Sequence, residues 1–94
     1  MNINKVKSYI GFAIKSNAIV YGVDGIREKK TPLVVYSFAL ASSSKQRCEA
    51  LKEIGVSVYQ ITDEQMMEIM ENPKVKAFGI KNKELANAIK QNLA

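Results

Sequence analysis

Ile3, Val6, Tyr9, Ile10, Ala13 and Ile14 recur at spacings of three and four with Lys5, Lys7 and Lys15 interleaved. This spacing predicts an amphipathic helix from Ile3 to Lys15. Ser16 and Asn17 suit its C-terminal end, because Asn tolerates the left-handed backbone found there. Ala18-Ile19-Val20-Tyr21 then reads as a short strand punctuated by Gly22. Val23 to Lys30 predicts a short polar helix interrupted by Gly25 and closed by Pro32. Leu33-Val34-Val35-Tyr36 is a continuous β-branched and aromatic run, the pattern of a central strand buried on both faces.

Ser42, Ser43 and Ser44 offer N-cap hydroxyls to a third helix whose Cys48, Leu51 and Ile54 share a face, with Gly55 just past its end. Val56 to Ile61 alternates as a half-buried strand. Thr62 and Gln65 have the spacing of a capping box, opening a helix that carries Met66, Met67, Ile69 and Met70 and stops at Asn72-Pro73. Val75 to Ile80 predicts a fourth strand, and Asn82 caps a last helix with Leu85, Ala86, Ile89 and Leu93 on one face. The order αβαβαβαβα with short connections predicts an α/β fold: a three-layer α/β/α sandwich around a four-stranded mixed sheet.

The length of 94 residues suits one domain with one core. Hydrophobic residues at 47 % and charged residues at 24 % are ordinary for a folded globule. Lysines break the first apolar stretch, which excludes a secretory core segment or a membrane span there and leads to the expectation of a cytoplasmic protein with no membrane partner. The single cysteine, Cys48, permits no internal disulfide, and with no histidine in the chain a Cys/His zinc site is excluded. Neither a metal nor a cofactor is expected.

The net charge of +5 is unevenly placed. Residues 1–47 hold eight Lys/Arg against Asp24 and Glu28, an excess of six, whereas six Lys face seven Asp/Glu from Cys48 onward. An excess confined to one half suits a polyanionic partner, although a basic protein need not bind one.

The run Ile10-Gly11-Phe12-Ala13-Ile14-Lys15-Ser16-Asn17-Ala18-Ile19-Val20-Tyr21-Gly22 resembles the opening signature of the kink-turn RNA-binding ribosomal protein family and its short bacterial relatives. The signature is an apolar-Gly-apolar-Ala helix end, a basic residue, a small-residue turn, an apolar strand and a glycine. The resemblance extends through the element order to the end of the chain. It implies a protein without catalytic residues that clasps bent RNA, ribosomal or another kink-turn RNA, with the start of its second helix and the loop after its central strand. In the family that helix begins Gly-x-Asn-Glu-x-x-Lys. Here Gly22 matches, Asp24 replaces Asn, Gly25 replaces Glu and Glu28 replaces Lys. Asp24 can accept from a guanine edge but cannot donate as an amide does, and Glu28 repels phosphate. The base-reading motif is therefore degenerate.

The candidate RNA-binding residues are Lys15, Gly22, Asp24, Arg27, Lys29, Lys30, Ser43 and Lys45. Lys15, Arg27, Lys29 and Lys30 flank the surface the resemblance implies and offer phosphate contacts, while charged residues so placed equally form a solvated face. Ser43 and Lys45 stand at the C-terminal end of the central strand, where α/β sheets bind ligands, and plain helix capping explains the serine as well. Phe38-Ala39-Leu40-Ala41 is the counterpart of the family's second contact loop without its acid, open to a base, to the core or to another protein. Two functions therefore stand: binding of structured RNA, or a diverged relative serving as a protein-interaction module. No Walker or Gly-rich nucleotide motif and no histidine base support an enzyme.

Overall fold

A computed structural model describes residues 1–28 and 30–93, apart from the side chains of Arg27 and Glu28. The first helix, α1 (Ile3–Lys15), is capped by the Asn2 side chain, which accepts from the Lys5 N–H at 3.2 Å. Asn17 takes the expected left-handed turn at φ 55° and delivers the chain into β1 (Ile19–Tyr21). Helix α2 (Gly22–Glu28) follows without a linker and leads to β2 (Leu33–Ser37). Next come α3 (Ser42–Ala50), a 3-10 turn over Leu51–Ile54, β3 (Ser57–Ile61), α4 (Asp63–Met70), β4 (Ala77–Ile80) and α5 (Lys83–Leu93).

The strands form one mixed sheet in the order β1-β4-β2-β3. β2 runs parallel to β3 and antiparallel to β4, and β4 is antiparallel to β1. All five residues of β2 are buried, as its unbroken apolar run requires of a strand covered on both faces. On one face α1, α4 and α5 cover Leu33, Val35 and Phe78 with Val6, Ile10, Met66 and Ile89. On the other, α2 and α3 bring Ile26 and Cys48 against Val34, Tyr36, Val58 and Ala77. The three-layer α/β/α arrangement follows: one sheet, two apolar faces, a helical layer on each.

Several local expectations shift. The serines do not cap α3: Ala41 is the N-cap and makes no side-chain bond, because the turn after β2 closes through Leu40 N–H to Ser37 O and Ser42 already lies inside the helix. Ile54 is 75 % exposed rather than beside Cys48, since the last turn tightens to 3-10 and the chain reverses at Gly55, φ 90°, into β3. Ile14 flanks the buried Val6-Ile10-Ala13 stripe and is exposed. Of the methionines in α4, Met66 is buried and Met70 packs on the core, while Met67 faces outward. The helix ends at Glu71, φ 56°, one residue before the expected stop. The fourth strand begins at Ala77, leaving Val75 and Lys76 in the preceding loop.

The capping box is present in both halves: Gln65 N–H donates to Thr62 Oγ1 at 3.1 Å and Thr62 N–H donates to Gln65 Oε1 at 3.0 Å. Asn82 Oδ1 likewise accepts from Leu85 N–H at 2.9 Å. Among the described residues, no helix is long and apolar enough to cross a membrane.

Candidate nucleic-acid interface

The strand order decides which of the candidate residues meet. β1 ends at Tyr21 beside Phe78, and β2 ends where Tyr36 pairs with Ala77. Both strands therefore finish at the end of the sheet where β4 begins. Gly22, the loop Phe38–Ala41 and the segment Lys74-Val75-Lys76 converge there. Tyr21, Gly22, Leu40 and residues 74–77 line a shallow depression of about 430 Å³.

Gly22 opens α2 at φ 77°, a left-handed conformation in which a Cβ is strained, and no atom would meet that Cβ within 4 Å. The glycine thus answers a backbone need while leaving open space above it. Tyr21, which lines the depression, and Phe38, in the loop that contributes Leu40 to it, are 48 % and 61 % exposed. Lys45 Nζ lies 5.4 Å from the centroid of the Phe38 ring, within cation-π range. Asp24 in the first turn of α2 and Arg47 in the last turn of α3 approach to 3.9 Å, and both remain exposed.

At Lys76, which lines the depression, a carboxylate joins three segments. Asp63 Oδ1 accepts from Lys76 Nζ at 2.7 Å and from Ser37 Oγ at 2.9 Å. Ser37 Oγ in turn accepts from the Ala39 N–H at 3.0 Å. The Lys76 ammonium, and after it the Ser37 hydroxyl, hold the Asp63 carboxyl below the usual carboxylate range.

The eight candidate residues do not share one surface. Gly22, Asp24, Ser43 and Lys45 gather at this end of the molecule, with Ser43 exposed in the first turn of α3. Lys15 and Lys30 belong to the opposite end, because β1 and β2 both start there, Ile19 and Leu33 each pairing with Ile80. The Arg27 side chain and Lys29 lie outside the described residues. Tyr21, Asp63, Lys74 and Lys76 join the site without having been singled out from the sequence. Spacing along the chain carries no mark of them; the insertion of β4 between β1 and β2 and the parallel pairing of β3 with β2 bring them in. Among the described residues, no three metal-ligating side chains converge.

A solved protein of unknown function from Bacillus halodurans C superposes with a TM-score of 0.77, covering 95 % of this chain and 96 % of that one. The two share 14 % sequence identity, so the likeness is one of fold. No family model and no curated protein matches the sequence.

Proposed function

We propose that this chain is an RNA-binding protein of the cytoplasm that recognises structured, kink-turn-like RNA through the surface around Gly22. The observation that carries the reading is the exposed Phe38 ring, with Lys45 of α3 beside it, in the loop whose Leu40 lines the Gly22 depression together with Lys74 and Lys76. Splayed bases stack on aromatic rings, and phosphates pair with the cations between them. The resemblance of residues 10–22 to the kink-turn-binding family supports the same surface, since Gly22 is the residue of the helix-start motif that is retained. With Asp24 and Glu28 in place of amide and lysine, affinity comes mainly from phosphate contacts, and discrimination between RNAs is modest.

The proximity of exposed Asp24 to Arg47 favours a second reading, a protein-interaction module, because the guanidinium competes with a base edge for that carboxylate. A gel-shift titration against a kink-turn RNA and a plain duplex of equal length separates the two. RNA binding predicts retention of both, a preference for the bent RNA, and steep weakening with salt. Absence of any shift at low salt rejects RNA binding in favour of the protein-interaction module.

A further inference from the structure

We infer that Asp63 is a positioning residue of the Gly22 surface: by holding Ser37 and Lys76 on one carboxylate oxygen it fixes both loops beside Gly22, and Lys76 serves as their tether rather than as a phosphate ligand. The inference rests on the RNA-binding reading of that surface. Neither loop is regular secondary structure, and each depends on bonds that pass through this point. The loop after β2 is held by Ala39 N–H on Ser37 Oγ and by Leu40 N–H on Ser37 O, both 3.0 Å. The loop before β4 is held by Ser37 N–H on Lys76 O at 2.8 Å and by Lys76 Nζ on Asp63 at 2.7 Å. Ser37 is fully buried, so its hydroxyl needs an acceptor and Asp63 supplies one.

Asp63 itself is anchored as the first residue of α4, between Thr62 and Gln65 of the capping box, where a carboxylate also opposes the positive end of the helix dipole. The charge pair is partly withdrawn from solvent, with side-chain exposures of 30 % for Lys76 and 39 % for Asp63, so it is less screened than a fully exposed pair. One of the three N–H donors of the Lys76 ammonium, and much of its charge, is already engaged by Asp63, which makes it a weaker phosphate ligand than an unpaired lysine. Lys74 and Lys45 are free of that constraint, because no salt bridge joins either to a carboxylate among the described residues. The arrangement divides the cations around Gly22 into one that shapes the surface and others that contact the ligand.

The test combines fluorescence anisotropy with a kink-turn RNA at low salt and amide hydrogen exchange. Asp63→Asn and Lys76→Met should each weaken RNA binding roughly five- to tenfold, the loss expected when loops must be ordered on binding. Lys76→Arg, which can keep the pair, should retain parental affinity. The double variant Asp63→Asn/Lys76→Met should bind no more weakly than either single one, as partners in one contact do. In Asp63→Asn the Ala39 and Leu40 amides should exchange faster while those of α5 do not change. Tighter binding by Asp63→Asn with a steeper salt dependence would overturn the inference, because the freed lysine would then be a phosphate ligand. Unchanged affinity with faster loop exchange would overturn it too, leaving the carboxylate a stabilising role alone. Failure of the parent protein to bind RNA would reject the RNA-binding reading, and the positioning role with it, whatever the exchange pattern.

Discussion

Thr31 packs directly against Gly79: a Cβ built on that glycine would lie 2.9 Å from Thr31 Cγ2, with Cβ and Oγ1 of the same residue at 3.1 Å. Gly79 is central in β4, paired with Val20 on one side and Val34 on the other, and Thr31 is buried. The glycine is therefore required for its missing side chain. Gly79→Ala should destabilise the protein by about 1–3 kcal/mol, the usual cost of overpacking. Thr31→Ala in the same chain should recover part of that loss by removing Cγ2 and Oγ1. Urea denaturation of the two single variants and the double variant measures both effects.

Two helical glycines should respond in opposite directions. Gly22 stands at φ 77°, so Gly22→Ala should cost on the order of 1 kcal/mol in backbone strain. Gly11 lies in the interior of α1 with an ordinary helical backbone and nothing within 4 Å of a built Cβ. Gly11→Ala should stabilise by roughly 0.5–1 kcal/mol through helix propensity alone. Thermal melting of the two variants shows the contrast.

The two ends of the sheet give a residue-level test of the proposed RNA surface. Lys45 and Lys74 lie at the Gly22 end, Lys15 and Lys30 at the other. Lys45→Ala and Lys74→Ala should each flatten the plot of log affinity against log salt by about 0.7 to 1, one phosphate contact apiece. Lys15→Ala and Lys30→Ala should leave that slope at the parental value. Equal flattening by all four would place RNA binding in the general charge of the protein rather than at Gly22.

Stability should fall at both extremes of pH for separate reasons. Asp63 is held below its ordinary value by Lys76 and Ser37, and Glu49 by Lys52 and then Tyr36. A carboxylate depressed in the folded state stabilises above its unfolded value, near 4, and that contribution disappears as pH falls through the folded value. Burial, followed by the bond to Glu49, pushes the Tyr36 phenol up to about 12 from an ordinary 10.0. Its contribution is complete below pH 10 and is lost as pH rises through the folded value. Urea midpoints measured across pH should show a shallower acid limb in Asp63→Asn and a shallower alkaline limb in Tyr36→Phe.

Local chemistry was legible in the order of the residues. The α1 stripe, the Asn17 turn, the Thr62-Gln65 box, the Asn82 cap and the buried β2 run each depend on neighbours within about one or two turns, so spacing suffices to identify them. The third helix was harder to read, because three consecutive serines offer equivalent caps and the turn after Ser37, a tertiary matter, decides where the helix begins.

What only the tertiary structure decided is the neighbourhood of each strand. Alternation specifies which face a strand buries, but hydrogen bonding along its edges accepts any partner, and the last strand, β4, enters between the first two. That insertion carries Lys74 and Lys76 to Gly22 and separates Lys15 and Lys30 from it. The parallel pairing of β3 with β2 brings Asp63, read from the sequence as one more acid at a capped helix start, to the buried Ser37 hydroxyl, and the inserted β4 brings it the Lys76 ammonium. The residue types were all present in one dimension; their juxtaposition comes from burying both apolar faces of a single sheet beneath two layers of helices.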